Sequence, residues 1–125
     1  MRLAAALLLC TAILWSGPAP AIGIMADCAT SPQSIATGGA DQTQLAANGQ
    51  RTNVWVENYC SATSQNITTA ESLWVNFGAA AAVGTGFEIA PCGSVTFTNN
   101  NYPTTQALHL FAATSAHQFA CKANQ

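Results

Sequence analysis

The sequence predicts an all-β fold, a small antiparallel β-sandwich of about six to eight short strands in jelly-roll or immunoglobulin-like order behind an N-terminal signal helix. Three observations predict it. Apolar residues alternate with polar ones in short runs such as NVWVEN and LWVNF. Turn residues (Gly38-Gly39, Asn48-Gly49, Pro91-Cys92-Gly93) separate those runs at intervals of about ten residues. Beyond the signal no stretch favours a helix, the one alanine run (79–82) being only four residues long.

The chain of 125 residues is long enough for one domain and too short for two. Residues 1–21 are set apart from that domain. Met1-Arg2 is a basic start, residues 3–15 are an uninterrupted apolar run, and Ala19-Pro20-Ala21 is a small-x-small cleavage site. The apolar run is shorter than the about 20 residues a bilayer span needs. It is read as a secretory signal cleaved after Ala21, leaving the domain at 22–125. An uncleaved anchor is the alternative, since apolar residues resume at 21–25, but Pro18 and Pro20 break a helix there.

From residue 22 to residue 32 the chain reads as an irregular lead-in tethered by Cys28. Gly38-Gly39 turns between two extended pieces, and Asn48-Gly49 introduces the first strong strand, 51–58. In that strand Thr52, Val54 and Val56 are assigned to the core face and Asn53, Trp55 and Glu57 to the other. A polar loop, 61–70, leads to a strand with Leu73, Val75 and Phe77 inward. The alanines of 78–86 lie between glycines and are too few to nucleate a helix, so the segment is a loop. Further strands are expected at 86–90 (Phe87 and Ile89 inward), 94–98 (Val95 and Phe97 inward), 106–113 (Leu108, Leu110 and Ala112) and 117–122 (Phe119 and Cys121).

Cys10 lies in the signal, so four of the five cysteines stay in the domain: Cys28, Cys60, Cys92 and Cys121. None is close enough to another for zinc or thioredoxin-like spacing, so two disulfides in an oxidising compartment are expected. Four cysteines allow three pairings. An up-and-down strand order puts Cys60 and Cys92 at one end of the sandwich, leaving Cys28 and Cys121 to tie the termini.

Charge excludes one class of partner. Beyond the signal only Arg51 and Lys122 oppose Asp27, Asp41, Glu57, Glu71 and Glu88, too few cations to track a phosphate backbone. The polar surface must therefore come from Asn, Gln, Ser and Thr, and low charge leaves self-association poorly opposed. Catalysis finds no motif. His109 and His117 have no carboxylate after them in the chain to complete a metal site, and no nucleophile elbow or phosphate loop is present. No metal and no cofactor is expected.

The tryptophans are the candidate site. If Val56 lies opposite Leu73 and Val54 opposite Val75, Trp55 falls opposite Trp74 and Asn53 opposite Asn76, forming one aromatic patch flanked by amides. Such a patch suits a subunit interface or a sugar-stacking platform, and covering by a loop is the purely structural alternative.

Residues 48–97 resemble a family of small β-sandwich proteins encoded in tailed-phage and prophage structural regions. The likeness rests on Asn48-Gly49-Gln50-Arg51, the strand Val54 to Asn58, the run Leu73 to Gly78 and the turn Ile89-Ala90-Pro91-Cys92-Gly93-Ser94, with Ala107 to His117 resembling the family's closing segment. The resemblance implies a virion role such as head decoration or tail and fibre attachment, without a catalytic site. Two features depart from it, the signal peptide and the disulfide set to which Cys92 belongs, and both indicate adaptation for export. The expectation is a secreted or periplasmic (alternatively virion-borne) non-catalytic protein. It would bind further copies of itself or another structural protein through Trp55/Trp74, with a lectin-like module binding a cell-surface glycan as the alternative. A membrane is a partner only if the signal is retained.

Overall fold

The computed structural model of the chain describes residues 25–28, 33–59 and 71–124. The signal segment, the 61–70 loop and Cys60 lie outside the described residues. Within them the fold is all-β, with nine strands: β1 (Met25–Asp27), β2 (Gln33–Ser34), β3 (Gln42–Leu45), β4 (Asn53–Asn58), β5 (Leu73–Phe77), β6 (Phe87–Ile89), β7 (Ser94–Thr98), β8 (Leu108–Phe111) and β9 (Gln118–Asn124). The segment expected to be an irregular lead-in supplies β1 instead.

Every pairing is antiparallel, in two sheets. One runs β1-β9-β4-β7 with β2 also on β9, and the other runs β3-β8-β5-β6. Because β1 pairs with residues 122–124 of β9 and β2 with residues 118–119, the two are successive pieces of one interrupted edge strand. Counted so, eight strands cross between sheets at every connection except the β5–β6 hairpin. That is the jelly-roll order of the two expected alternatives.

The period-two pattern explains the core. Val54 and Val56 of β4, Phe97 of β7 and Phe119 and Cys121 of β9 are buried from one sheet; Leu73, Val75, Ile89, Leu108 and Leu110 are buried from the other. Thr52 falls outside β4 and is exposed. Burial of these branched and aromatic side chains between the layers is the main stabilising contribution, at about 25 cal/mol per Å² removed from water.

Corners between sheets need special backbone. At the β6–β7 corner Gly93 N donates to Ala90 O at 2.9 Å, and Cys92 takes a φ of 64° after Pro91. Pro followed by positive φ is type II turn geometry, where glycine is usual at the third place. Cys28 and Cys121 form a disulfide. The expected pairing is right but its reason is not the up-and-down order: β1 lies beside β9, and Cys28 N donates to Cys121 O at 2.9 Å. Cys92 is also disulfide-bonded, to a partner outside the described residues. A disulfide is consistent with an oxidising compartment. Among the described residues no helix is long and apolar enough to cross a membrane.

Gly86, where the chain re-enters β6 against β5, has a φ of 83°, and a Cβ there would lie 2.2 Å from Val75 O. Gly86→Ala therefore forces both a left-handed alanine and a shift of the β5 backbone, and should lower unfolding free energy by about 2 kcal/mol. Urea unfolding of the variant beside the parent checks this.

Candidate functional site

The structure separates the two tryptophans. Trp55 lies between Thr96 of β7 and Lys122 of β9 in one sheet. Trp74 lies between Glu88 of β6 and Phe111 of β8 in the other. Asn53 pairs with Thr98 and Asn76 with His109, not with each other. The expected Trp55/Trp74 patch therefore does not form. Val54 and Val56 do belong to the same core as Leu73 and Val75, but across the sandwich and not along a ladder, because the connection from β4 to β5 changes sheets. Outward residues of facing sheets point in opposite directions, so each half-buried indole belongs to a separate outer face.

Both histidines and the carboxylates beside them are engaged with loops. His117 is buried, with Nε2 2.7 Å from Asn58 Oδ1 and Nδ1 2.9 Å from Glu71 Oε1. Asn58 Nδ2 donates to Glu71 O at 2.9 Å and to Ile89 O at 3.0 Å, which fixes its amide with Oδ1 toward the ring. Burial lowers the His117 pKa, while the charge and hydrogen bond of Glu71 act to raise it. Glu71 also accepts from Thr114 N and Thr114 Oγ1, so the pair latches the β8–β9 loop onto β4 and the start of β5. His109, on the outer face of β8, sits 2.8 Å from Asp41 Oδ2, and Asp41 Oδ1 accepts from Ala81 N at 2.7 Å. Among the described residues no three His, Cys, Asp or Glu gather as metal ligands.

Arg51, one of the two basic residues beyond the signal segment, is buried. Its Nη1 donates to Thr104 O and Gln106 O at 3.2 and 3.1 Å, and its Nη2 donates to Ala46 O. Burial lowers its pKa. Three carbonyls from two loops thus use the fork of one guanidinium, a geometry lysine cannot reproduce. Asn48, three residues earlier, accepts Gln50 N on Oδ1 and Arg51 N on its carbonyl. Two residues that carried the sequence resemblance, Arg51 and Asn58, are therefore ties of the scaffold.

Of the recesses open to solvent among the described residues, a mainly apolar one lies at one corner. Between the edge strands β6 and β7 is a recess of about 270 Å³ lined by Val75, Asn76, Phe77, Phe87, Phe97 and Tyr102 among others. Phe97 is its buried centre, with the rings of Tyr102, Phe77 and Phe87 edge-on at 4.9, 5.1 and 5.5 Å. Phe87, expected inward with Ile89, is 37% exposed because β6 is short and lies at the sheet edge.

Beside the recess the 78–86 loop ends in a tight turn. Thr85 N donates to Ala82 O at 2.9 Å and Thr85 Oγ1 accepts from Ala82 N at 2.8 Å. Ala81 is buried beneath it, held by Asp41, while Asn76 Nδ2 donates to Ala80 O at 3.2 Å. These bonds fix a turn whose tip, Val83, is 67% exposed.

The sequence reading missed this corner. The alternation points Phe77, Phe87 and Phe97 to the core alike and gives Tyr102, between two strands, no role. An aromatic beside proline in NNNYPTT was the available signal. Comparison with protein-family models, with curated proteins and with solved structures returns no match to this chain.

Proposed function

We propose that the chain is an exported, non-catalytic structural or interaction protein that works by assembling with itself or docking on another structural protein. This is the kind of role its resemblance to phage decoration and attachment proteins implies. One observation carries the reading. The histidines and their carboxylates are engaged in holding loops, while an ordered apolar corner stands open to solvent, and exposed apolar patches of this kind mark interaction sites. The disulfide and the low charge fit export and association. Jelly rolls serve in capsids and in lectins, so the fold is compatible by analogy with both functional readings.

A lectin-like reading keeps one supporting observation. On the outer face of the second sheet, Trp74 neighbours Phe111 and Glu88, and Asn76 lies beside His109. Indole, amide and carboxylate together can stack on and hydrogen-bond a sugar.

Light scattering on the purified protein with its disulfides intact, over a concentration series, tests the proposal. A discrete oligomer or filament is the expected result. A monomer at every concentration, with tryptophan fluorescence that shifts on adding glycans and loses that shift in Trp74→Ala, would replace it with the lectin reading.

A further inference from the structure

We infer that two copies of this chain associate through the corner formed by the 78–86 turn and the aromatic recess, with Val83 of each copy seated in the recess of the other. The inference rests on the self-assembly reading above and gives it a surface.

The turn is ordered, yet it holds an apolar side chain in water. The bonds from Asn76, Asp41 and Thr85 fix its backbone, and buried Ala81 anchors it, so Val83 is presented in one place. A rigid apolar projection loses little freedom on binding. The recess offers complementary chemistry: about 270 Å³, with walls mainly of aromatic and aliphatic side chains, room enough for an aliphatic side chain. Projection and recess adjoin each other, because the chain leaves the turn directly into Gly86 and Phe87 of the recess wall. A two-fold axis beside this corner lets each copy give a tip and receive one, the self-complementary arrangement a symmetric dimer requires.

Charge favours a like partner. Residues 78–87 carry no ionisable side chain. Of the nearby carboxylates, Asp41 is engaged by Ala81 N and His109, and Glu88 pairs with Trp74 on the outer face of its sheet, on the opposite side of β6 from Phe87. The turn and the recess lining thus hold no carboxylate or cation for a charged ligand to pair with, whereas a second copy brings an uncharged apolar surface of the same kind.

Sedimentation equilibrium of the oxidised protein and of four variants tests this. Val83→Asp and Val83→Ser change only an exposed turn side chain and should leave the thermal unfolding curve in place. Trp55→Ala and Trp74→Ala serve as controls on the outer faces. The expected result is a parent dimer whose dissociation constant rises about tenfold or more in Val83→Asp, less in Val83→Ser, and little in the tryptophan variants. A parent that dimerises equally well with Val83→Asp overturns this interface and leaves assembly standing. A parent that stays monomeric at all concentrations overturns both the interface and the assembly reading.

Discussion

Replacing Cys28 and Cys121 together by alanine should lower the stability of the oxidised domain by about 4 kcal/mol, the largest effect expected of any change considered for this chain. The bridge joins residues 93 apart in sequence, so its loss frees nearly the whole domain in the unfolded state. A loop of about 100 residues corresponds to about 4.7 kcal/mol in the chain-entropy account, and the second disulfide, which already restricts the unfolded chain, reduces that. In the folded state the bridge pins an edge. β1 is three residues long and β2 two, both rely on β9, and Cys28 stands where β1 ends. Alanine suits the test because Cys121 is 1% exposed, and a serine hydroxyl there would add an unpaired polar group to the core. At about 4–8 °C per kcal/mol for a domain of this size, the melting midpoint should fall by about 20 °C. Urea and thermal unfolding of the double variant measure both quantities. A loss below about 1 kcal/mol would show that β1 is held by its ladder alone.

Asn58→Ala should cost about 3 kcal/mol. Its side chain is fully buried at the end of β4 and makes three hydrogen bonds that join the two sheets: to Glu71 O before β5, to Ile89 O on β6, and from His117 Nε2. Alanine removes one residue's polar atoms but leaves two carbonyls and a ring nitrogen buried without those partners, at roughly 1 kcal/mol or more each. Asn58→Asp separates the parts of this account. It keeps the acceptor toward His117 but loses both donors to the carbonyls, and it places a second carboxylate near Glu71. Aspartate should therefore do no better than alanine in an unfolding titration at neutral pH. If aspartate instead restored most of the parental stability, the two carbonyl bonds would carry little of the effect.

Most of the strands were legible because a half-buried strand imposes its period directly on the sequence. Val54-Trp55-Val56 and Leu73-Trp74-Val75 show it plainly, and Leu108, Leu110 and Ala112 fall on the core side as their spacing predicts. Which strand lies beside which is not written in that period. The same alternation fits a hairpin between β4 and β5 or a crossover between sheets, and the crossover is what places Trp55 and Trp74 on separate faces. β1 was missed because Met25-Ala26-Asp27 has no alternation of its own; it is a strand only because β9 offers it an edge. The polar ties were hidden for a related reason. Arg51 and Asn58 look like surface residues until the loops and sheets that supply their carbonyl partners are brought together. Their places in the Asn-x-x-Arg start and at the strand-ending Asn were the legible trace of those ties.

The most direct test of the account is backbone amide exchange on the oxidised protein, compared between dilute and concentrated solution. Association through the apolar corner predicts added protection at high concentration confined to residues 78–87 and the neighbourhood of Tyr102, with exchange on the outer faces around Trp55 and Trp74 unchanged. Exchange that does not depend on concentration, or added protection on a tryptophan face instead, would contradict it.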